Sequence, residues 1–162
     1  MQIEQTFEVA ADQNRVWALM RDPAQMITCI PGCESIEATG PDQYQAVIAV
    51  AVGPIKARFS LAVNIVEESP PSHVKTQMRG DEGGRASLIQ SVNDVRLAPV
   101  DDNHTRVTYV STVDISGRLG RYGSGMMQKL ANRLGTQFQT AFCALAEATA
   151  ATDADESGKS NG

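Results

Sequence analysis

The side chains able to do chemistry are few, and their spacing matches no common active-site arrangement. Three cysteines are present, Cys29, Cys33 and Cys143. A structural zinc ion takes four ligands, and only His73 and His104 could join the thiols. A C-x₃-C spacing around Pro31-Gly32 is not a metal knuckle, so no metal is expected and the thiols read as small packing groups. His73 follows Pro70-Pro71-Ser72 and His104 follows Asp101-Asp102-Asn103, both turn-like surroundings. A catalytic histidine needs an orienting partner and shelter from water, so neither is expected to act as a base. Gly117, Gly120, Gly123 and Gly125 lie between a strand and a helix pattern, but lack both the Lys-Ser/Thr ending of a phosphate loop and the dinucleotide order. They are expected to let the chain pass close to the helix start and keep that segment mobile.

The chain has 162 residues, a formal net charge of −5, 42% apolar and 20% charged residues. This fits one globular domain with a real core. The acidic balance disfavours nucleic acid, because phosphate contacts need a dense Lys/Arg surface. Arg118, Arg121, Lys129 and Arg133 are the densest basic group, and they are spread over four helical turns. No secretory signal is visible and no apolar run is long enough to cross a bilayer. An odd cysteine count without framework spacing suggests reduced, cytoplasmic surroundings.

Residues 3–9 alternate like a strand with one buried face. Asp12 reads as the N-cap of a short helix carrying Val16, Trp17, Leu19 and Met20, and Asp22-Pro23 starts a second helical turn. Strands follow at 35–39, 43–52, 55–67, 73–79, 85–99 and 106–116. The segment 80–84 serves as a hairpin turn. From 122 to 149 the apolar residues recur at helical spacing, giving one helix about 40 Å long at 1.5 Å per residue. Residues 151–162 are small, polar and acidic and read as a disordered tail, which leaves 1–150 as the domain. The class is α+β: a curved antiparallel meander that only the long helix has enough apolar face to cover.

A sheet wrapped around one helix is expected to leave a cavity. The helix side of its wall would be Met126, Met127, Leu130, Leu134 and Phe138, with adjacent methionines suited to an irregular ligand. The sheet side would be Phe59, Leu61, Met78 and Tyr109, with Trp17 and Ile30 also lining the cavity. Cys29, Pro31, Gly32 and Cys33, together with Gly117, Gly120 and Gly123, would border the entrance.

Several segments resemble the CoxG family of carbon monoxide dehydrogenase subunits, within the START/Bet v 1-like (SRPBCC) superfamily. They are Val16-Trp17-Ala18-Leu19-Met20 with Asp22-Pro23, Cys29-Ile30-Pro31-Gly32-Cys33-Glu34, and Val52-Gly53-Pro54-Ile55-Lys56-Ala57-Arg58-Phe59. Thr105-Arg106-Val107 and Ser116-Gly117-Arg118-Leu119-Gly120 complete the match. The resemblance implies a helix-grip fold and an accessory protein encoded beside molybdenum hydroxylases. It also implies enzyme docking at the cytoplasmic membrane, or carriage of a lipid or quinone that receives electrons. Relatives that reach the membrane often carry a long C-terminal extension ending in an apolar or amphipathic segment. This chain ends in Asp153, Asp155 and Glu156, which anionic lipid would repel, so membrane association is expected through the partner.

The expected function is therefore a non-enzymatic carrier with no resident cofactor, binding an apolar small molecule as cargo and docking a molybdenum hydroxylase complex. An assembly factor for that enzyme is the second reading. A cyclase or hydrolase is the third, and it would need inward polar groups, for which Tyr44, Gln90, Asp94 and Tyr109 are the candidates.

Overall fold

The computed structural model describes the backbone of residues 1–160 and the side chains of residues 1–148. Strand β1 (Gln2–Val9) buries alternate residues and leads into helix α1 (Gln13–Met20). The Asp12 carboxylate caps α1 by accepting from the Arg15 N–H at 3.1 Å. Helix α2 (Pro23–Met26) begins the same way: Asp22 accepts from the Ala24 N–H at 3.1 Å, and Pro23 occupies the first turn, where no N–H is needed.

Six strands follow: β2 (Cys33–Gly40), β3 (Gln43–Val52), β4 (Ile55–Ser69), β5 (His73–Glu82), β6 (Ser87–Asp101) and β7 (His104–Gly117). They join β1 in one seven-stranded antiparallel sheet of order β1-β7-β6-β5-β4-β3-β2. A short 3₁₀ helix, Leu119–Tyr122, precedes helix α3 (Ser124–Ser160). This is the helix-grip arrangement expected from the element order. The backbone of α3 runs on into the expected acidic tail, 151–162, whose side chains lie outside the described ones.

The turn at 80–84 is displaced. Ladder pairing continues through Phe59 opposite Glu82 and Asp81 opposite Leu88, so β5 runs on to Glu82. The reversal falls at 83–86, where Gly84 and Arg85 take left-handed φ values of 73° and 61°. His73 is also placed differently. The reversal is complete at Ser72, whose N–H bonds the Ser69 carbonyl at 2.8 Å, so His73 opens β5 as the strand at 73–79 requires, but half-buried instead of exposed in turn-like surroundings.

The core divides in two. One part lies under the far half of α3, where Phe142 and Ala146 pack on Phe7, Val9, Leu97 and Val107 beside α1. Phe138 stacks on Phe142 with ring centroids 5.6 Å apart. The other part lies under the start of α3, where Met127 and Leu119 meet Ile55, Ala57, Phe59 and Leu61. Helix α1 is tied to the sheet rim by Gln13, whose amide donates to the Leu97 and Pro71 carbonyls, each at 3.2 Å. The buried Thr105 hydroxyl donates to Ala11 O at 2.8 Å and fixes the turn out of β1.

Phe142 is 1% exposed, so Phe142→Ala should destabilise the protein by about 3–5 kcal/mol in urea unfolding. A loss under about 1 kcal/mol would mean that this end of α3 is not the anchor.

Candidate functional site

Between the two cores the opposing layers do not fill each other. Val63 and Met78 face inward from the sheet, and Leu130 and Leu134 face them from α3, yet all four are only half-buried. Leu134 belongs to neither core. Inward side chains in a close-packed interior lose their accessible surface, so the incomplete burial of these four singles out the seam between α3 and the sheet. This is the candidate groove.

Its floor is polar. Cross-strand register puts Thr76, Asn93 and Ser111 in one row across β5, β6 and β7, flanked by Ser91 and Tyr109 in the adjoining rows. The Asn93 amide is the hub. Its Nδ2 donates to Thr76 Oγ1 and Ser91 Oγ, each at 3.2 Å, and its Oδ1 accepts from Ser111 Oγ at 2.6 Å. The Tyr109 hydroxyl approaches the same Oδ1 at 3.5 Å. Burial pushes the Tyr109 phenol up, so it stays protonated as a donor. Gln5 lies opposite Tyr109 on β1, and Gly135 lets α3 approach its amide, since a Cβ there would overlap it. Sequence reading found Tyr109 alone among these. The signal for the others is the run Ser87, Ser91 and Asn93 on one parity of β6, with Leu88 and Val92 on the opposite one.

The sequence-derived wall residues are distributed as follows. Phe59, Leu61 and Met127 are buried in the core beneath the start of α3, with Met78 and Leu130 packed against it. Trp17 and Phe138 pack on the core at the far end, and Ile30 is half-buried after α2. Met126 points to solvent, 39% exposed, because consecutive helix positions are about 100° apart and Met127 takes the inward one. Of the polar groups expected to face inward, Gln90 and Asp94 lie on the convex face. Tyr44 is half-buried, opposite Val63, and accepts from Arg21 Nη1 at 3.0 Å.

Of the entrance residues, Cys29 is not at a mouth. The Cys29 and Ile30 N–H groups both bond Met26 O, at 3.0 and 3.2 Å, and this turn places Cys29 in the core at 3% exposure. Pro31 and Cys33 are half-buried and Gly32 exposed beside Ala49 of β3. Burial raises the Cys33 and Cys143 thiols, which disfavours the thiolate. His73 Nε2 lies 2.8 Å from Asp94 Oδ2, a convex-face pair remote from the groove; His104 contacts Asp101 at the surface. Among the described residues no group of three or more His, Cys, Asp or Glu could hold a metal ion.

The segment 118–122 is latched at one end of the groove. Gly117 and Gly123 flank it with φ of 85° and 83°. The Arg118 guanidinium is held by the Glu82 carboxylate and donates to the Lys56 carbonyl at 2.6 Å. Ser87 Oγ donates to Glu82 at 2.8 Å and accepts from the Leu119 N–H at 3.0 Å. A surface depression of about 250 Å³ borders Arg118, Arg121 and Tyr122, and one of about 360 Å³ lies against α1 and α2, around Asn14 and Ala18.

The Arg118 hydrogen bond holds the Glu82 carboxyl below the usual glutamate range. Its contribution is therefore present above the unfolded value, about pH 4.3, and is lost as pH falls below it toward the lower folded value. Glu82→Gln should lower the hydrogen-exchange protection factor of the Leu119 amide several-fold, and acidification of the native protein below about pH 4 should do the same. Unchanged protection in both cases would show that the latch does not hold this segment.

The architecture is shared with solved structures. A conserved protein from Geobacillus kaustophilus superposes with a TM-score of 0.84 at 24% identity, over 91% of this chain and 96% of that one. A START superfamily protein from Mycobacterium smegmatis gives 0.75 at 13%, over 91% and 98%. The ZhuI aromatase/cyclase from Streptomyces sp. R1128 gives 0.68 at 16%, over 91% and 93%. No curated protein matches this sequence. The family model for the carbon monoxide dehydrogenase subunit CoxG matches residues 6–144, and with that span covering nearly all of the folded domain, the chain belongs to the CoxG family.

Proposed function

We propose that this protein is a non-enzymatic accessory factor that carries an apolar molecule, a lipid or quinone, between α3 and the sheet. It serves a molybdenum hydroxylase of the carbon monoxide dehydrogenase type, either by recruiting it to the membrane or by delivering its electron acceptor. The observation that carries the ligand reading is the incomplete burial of inward apolar side chains on both walls of the groove. A ligand covering them gains about 25 cal/mol for each Å² of apolar surface removed from water. The partner reading rests on the family, whose name is that of a dehydrogenase subunit. No described helix is long and apolar enough to cross a membrane, and the protein is proposed to work in the cytoplasm and to meet the membrane surface through its partner.

The polar groups near the groove support carriage over turnover. They are hydroxyls, amides and a protonated phenol, with no carboxylate or imidazole beside them among the described residues. The His73–Asp94 pair, the arrangement closest to a general base, faces away. The cyclase neighbour shares the fold at 16% identity, and the polar candidates Gln90 and Asp94 do not face the groove.

Native mass spectrometry of protein purified without detergent should show a stoichiometric adduct, and organic extraction should release a lipid or quinone. Leu134→Trp fills the space with an indole and should lower occupancy about tenfold, equivalent to roughly 1.4 kcal/mol. A ligand-free protein with a fully protected, tightly packed centre would overturn the carrier reading.

A further inference from the structure

The polar row on the groove floor has an asymmetry that packing does not explain. An Asn93 amide with both hydrogens and its oxygen engaged is satisfied, and no buried side-chain polar atom among the described residues lacks a partner. Ser111 and Tyr109 spend their hydroxyl protons on Asn93 Oδ1. Thr76 and Ser91 do the reverse: each accepts from Asn93 Nδ2, so each keeps its own proton, and neither proton meets an acceptor in the protein among the described residues. The hub thus takes one lone pair of each hydroxyl and leaves both hydroxyl protons available to an outside acceptor. Thr76 is half-buried and faces the same space as Met78 and Leu134. Apolar walls lie to either side along the strands: Met78, Leu61 and Ile48 toward one core, Val95 and Phe138 toward the other.

We infer that Thr76 and Ser91 form a hydrogen-bond donor site for a carbonyl-type oxygen placed midway along an otherwise apolar ligand. This rests on the carrier reading and narrows it: a pure hydrocarbon or a ligand with a terminal charged head leaves both protons idle. A ketone or quinone carbonyl and an acyl-ester carbonyl share the required chemistry.

The test uses a matched pair of fluorescent probes, 6-propionyl-2-dimethylaminonaphthalene and its 6-propyl analogue without the carbonyl. The first reports hydrogen bonding to its ketone through its emission maximum. The native protein should bind the ketone about tenfold more tightly than the propyl analogue, with red-shifted emission. Asn93→Asp keeps the shape but offers oxygens in place of the donor NH₂, which turns the Thr76 and Ser91 protons onto the new carboxylate. It should abolish the ketone preference and the red shift while leaving the propyl analogue bound. Gln90→Ala, on the exposed convex face of β6, should keep both, and circular dichroism verifies that each variant folds. Displacement of the ketone by a short-tailed benzoquinone or by a short-chain diacylglycerol then assigns the natural carbonyl. If both probes bind equally and Asn93→Asp changes neither, the donor site is wrong while the carrier reading stands; if neither binds the native protein, the carrier reading itself fails.

Discussion

One geometric mismatch governs this molecule: a single helix cannot cover a seven-stranded sheet. Six inter-strand spacings of about 4.8 Å make a face roughly 29 Å wide, while a helix with its side chains is about 10–12 Å across. Helices α1 and α2 and the segment 118–122 lie at the ends, and the inward side chains in the middle stay only half-buried. The two cores are the places where filling succeeds. Phe142, Ala146 and Val16 seal one end and Met127, Leu119 and Ile55 the other. The half-buried Leu134 marks the place between them where it does not.

A ligand groove lined by hydrocarbon alone would be unspecific, and under the proposed function the polar row would supply the specificity. Asn93 engages both amide hydrogens and its oxygen inside the protein, which holds Thr76, Ser91 and Ser111 in fixed orientations. A satisfied network in a low-dielectric site is rigid, so the direction of each hydroxyl is set before any ligand arrives. Arg118, Glu82 and Ser87 play the corresponding part at one end, where an ion pair and a hydroxyl relay hold a glycine-flanked segment against the sheet. Under the proposed carrier function, the site would recognise its cargo by shape and donor placement.

Much of the architecture was legible in the sequence because the signals were local. Asp12 and Asp22-Pro23 announce helix starts, Gly53-Pro54 a reversal, and the strict alternation of β4 a one-sided strand; each is found as read. The site was harder, and β6 shows why. Its exposed positions are Leu88 and Val92, 40% and 38% accessible, while its buried ones are Ser87 and Ser91. The alternation is inverted relative to the core, so polarity pointed to Gln90 and Asp94 as inward groups when register points to Asn93. Only cross-strand pairing with Thr76 and Ser111, which no local pattern encodes, reveals the row. Met126 and Met127 illustrate a smaller ambiguity, a choice between adjacent helix positions that packing alone decides. Cys29 illustrates another, since a turn after α2 carries it inward.

The central claim is that the space between α3 and the sheet is built to be occupied. The most direct test is a crystal structure of the protein purified without detergent or delipidation. The account predicts continuous non-protein density between Leu134 and the floor at Thr76, with a polar atom within hydrogen-bond distance of Thr76 Oγ1. A structure in which Leu134, Met78 and Val63 close on one another as a dry, fully buried core, with no density between them, would contradict it.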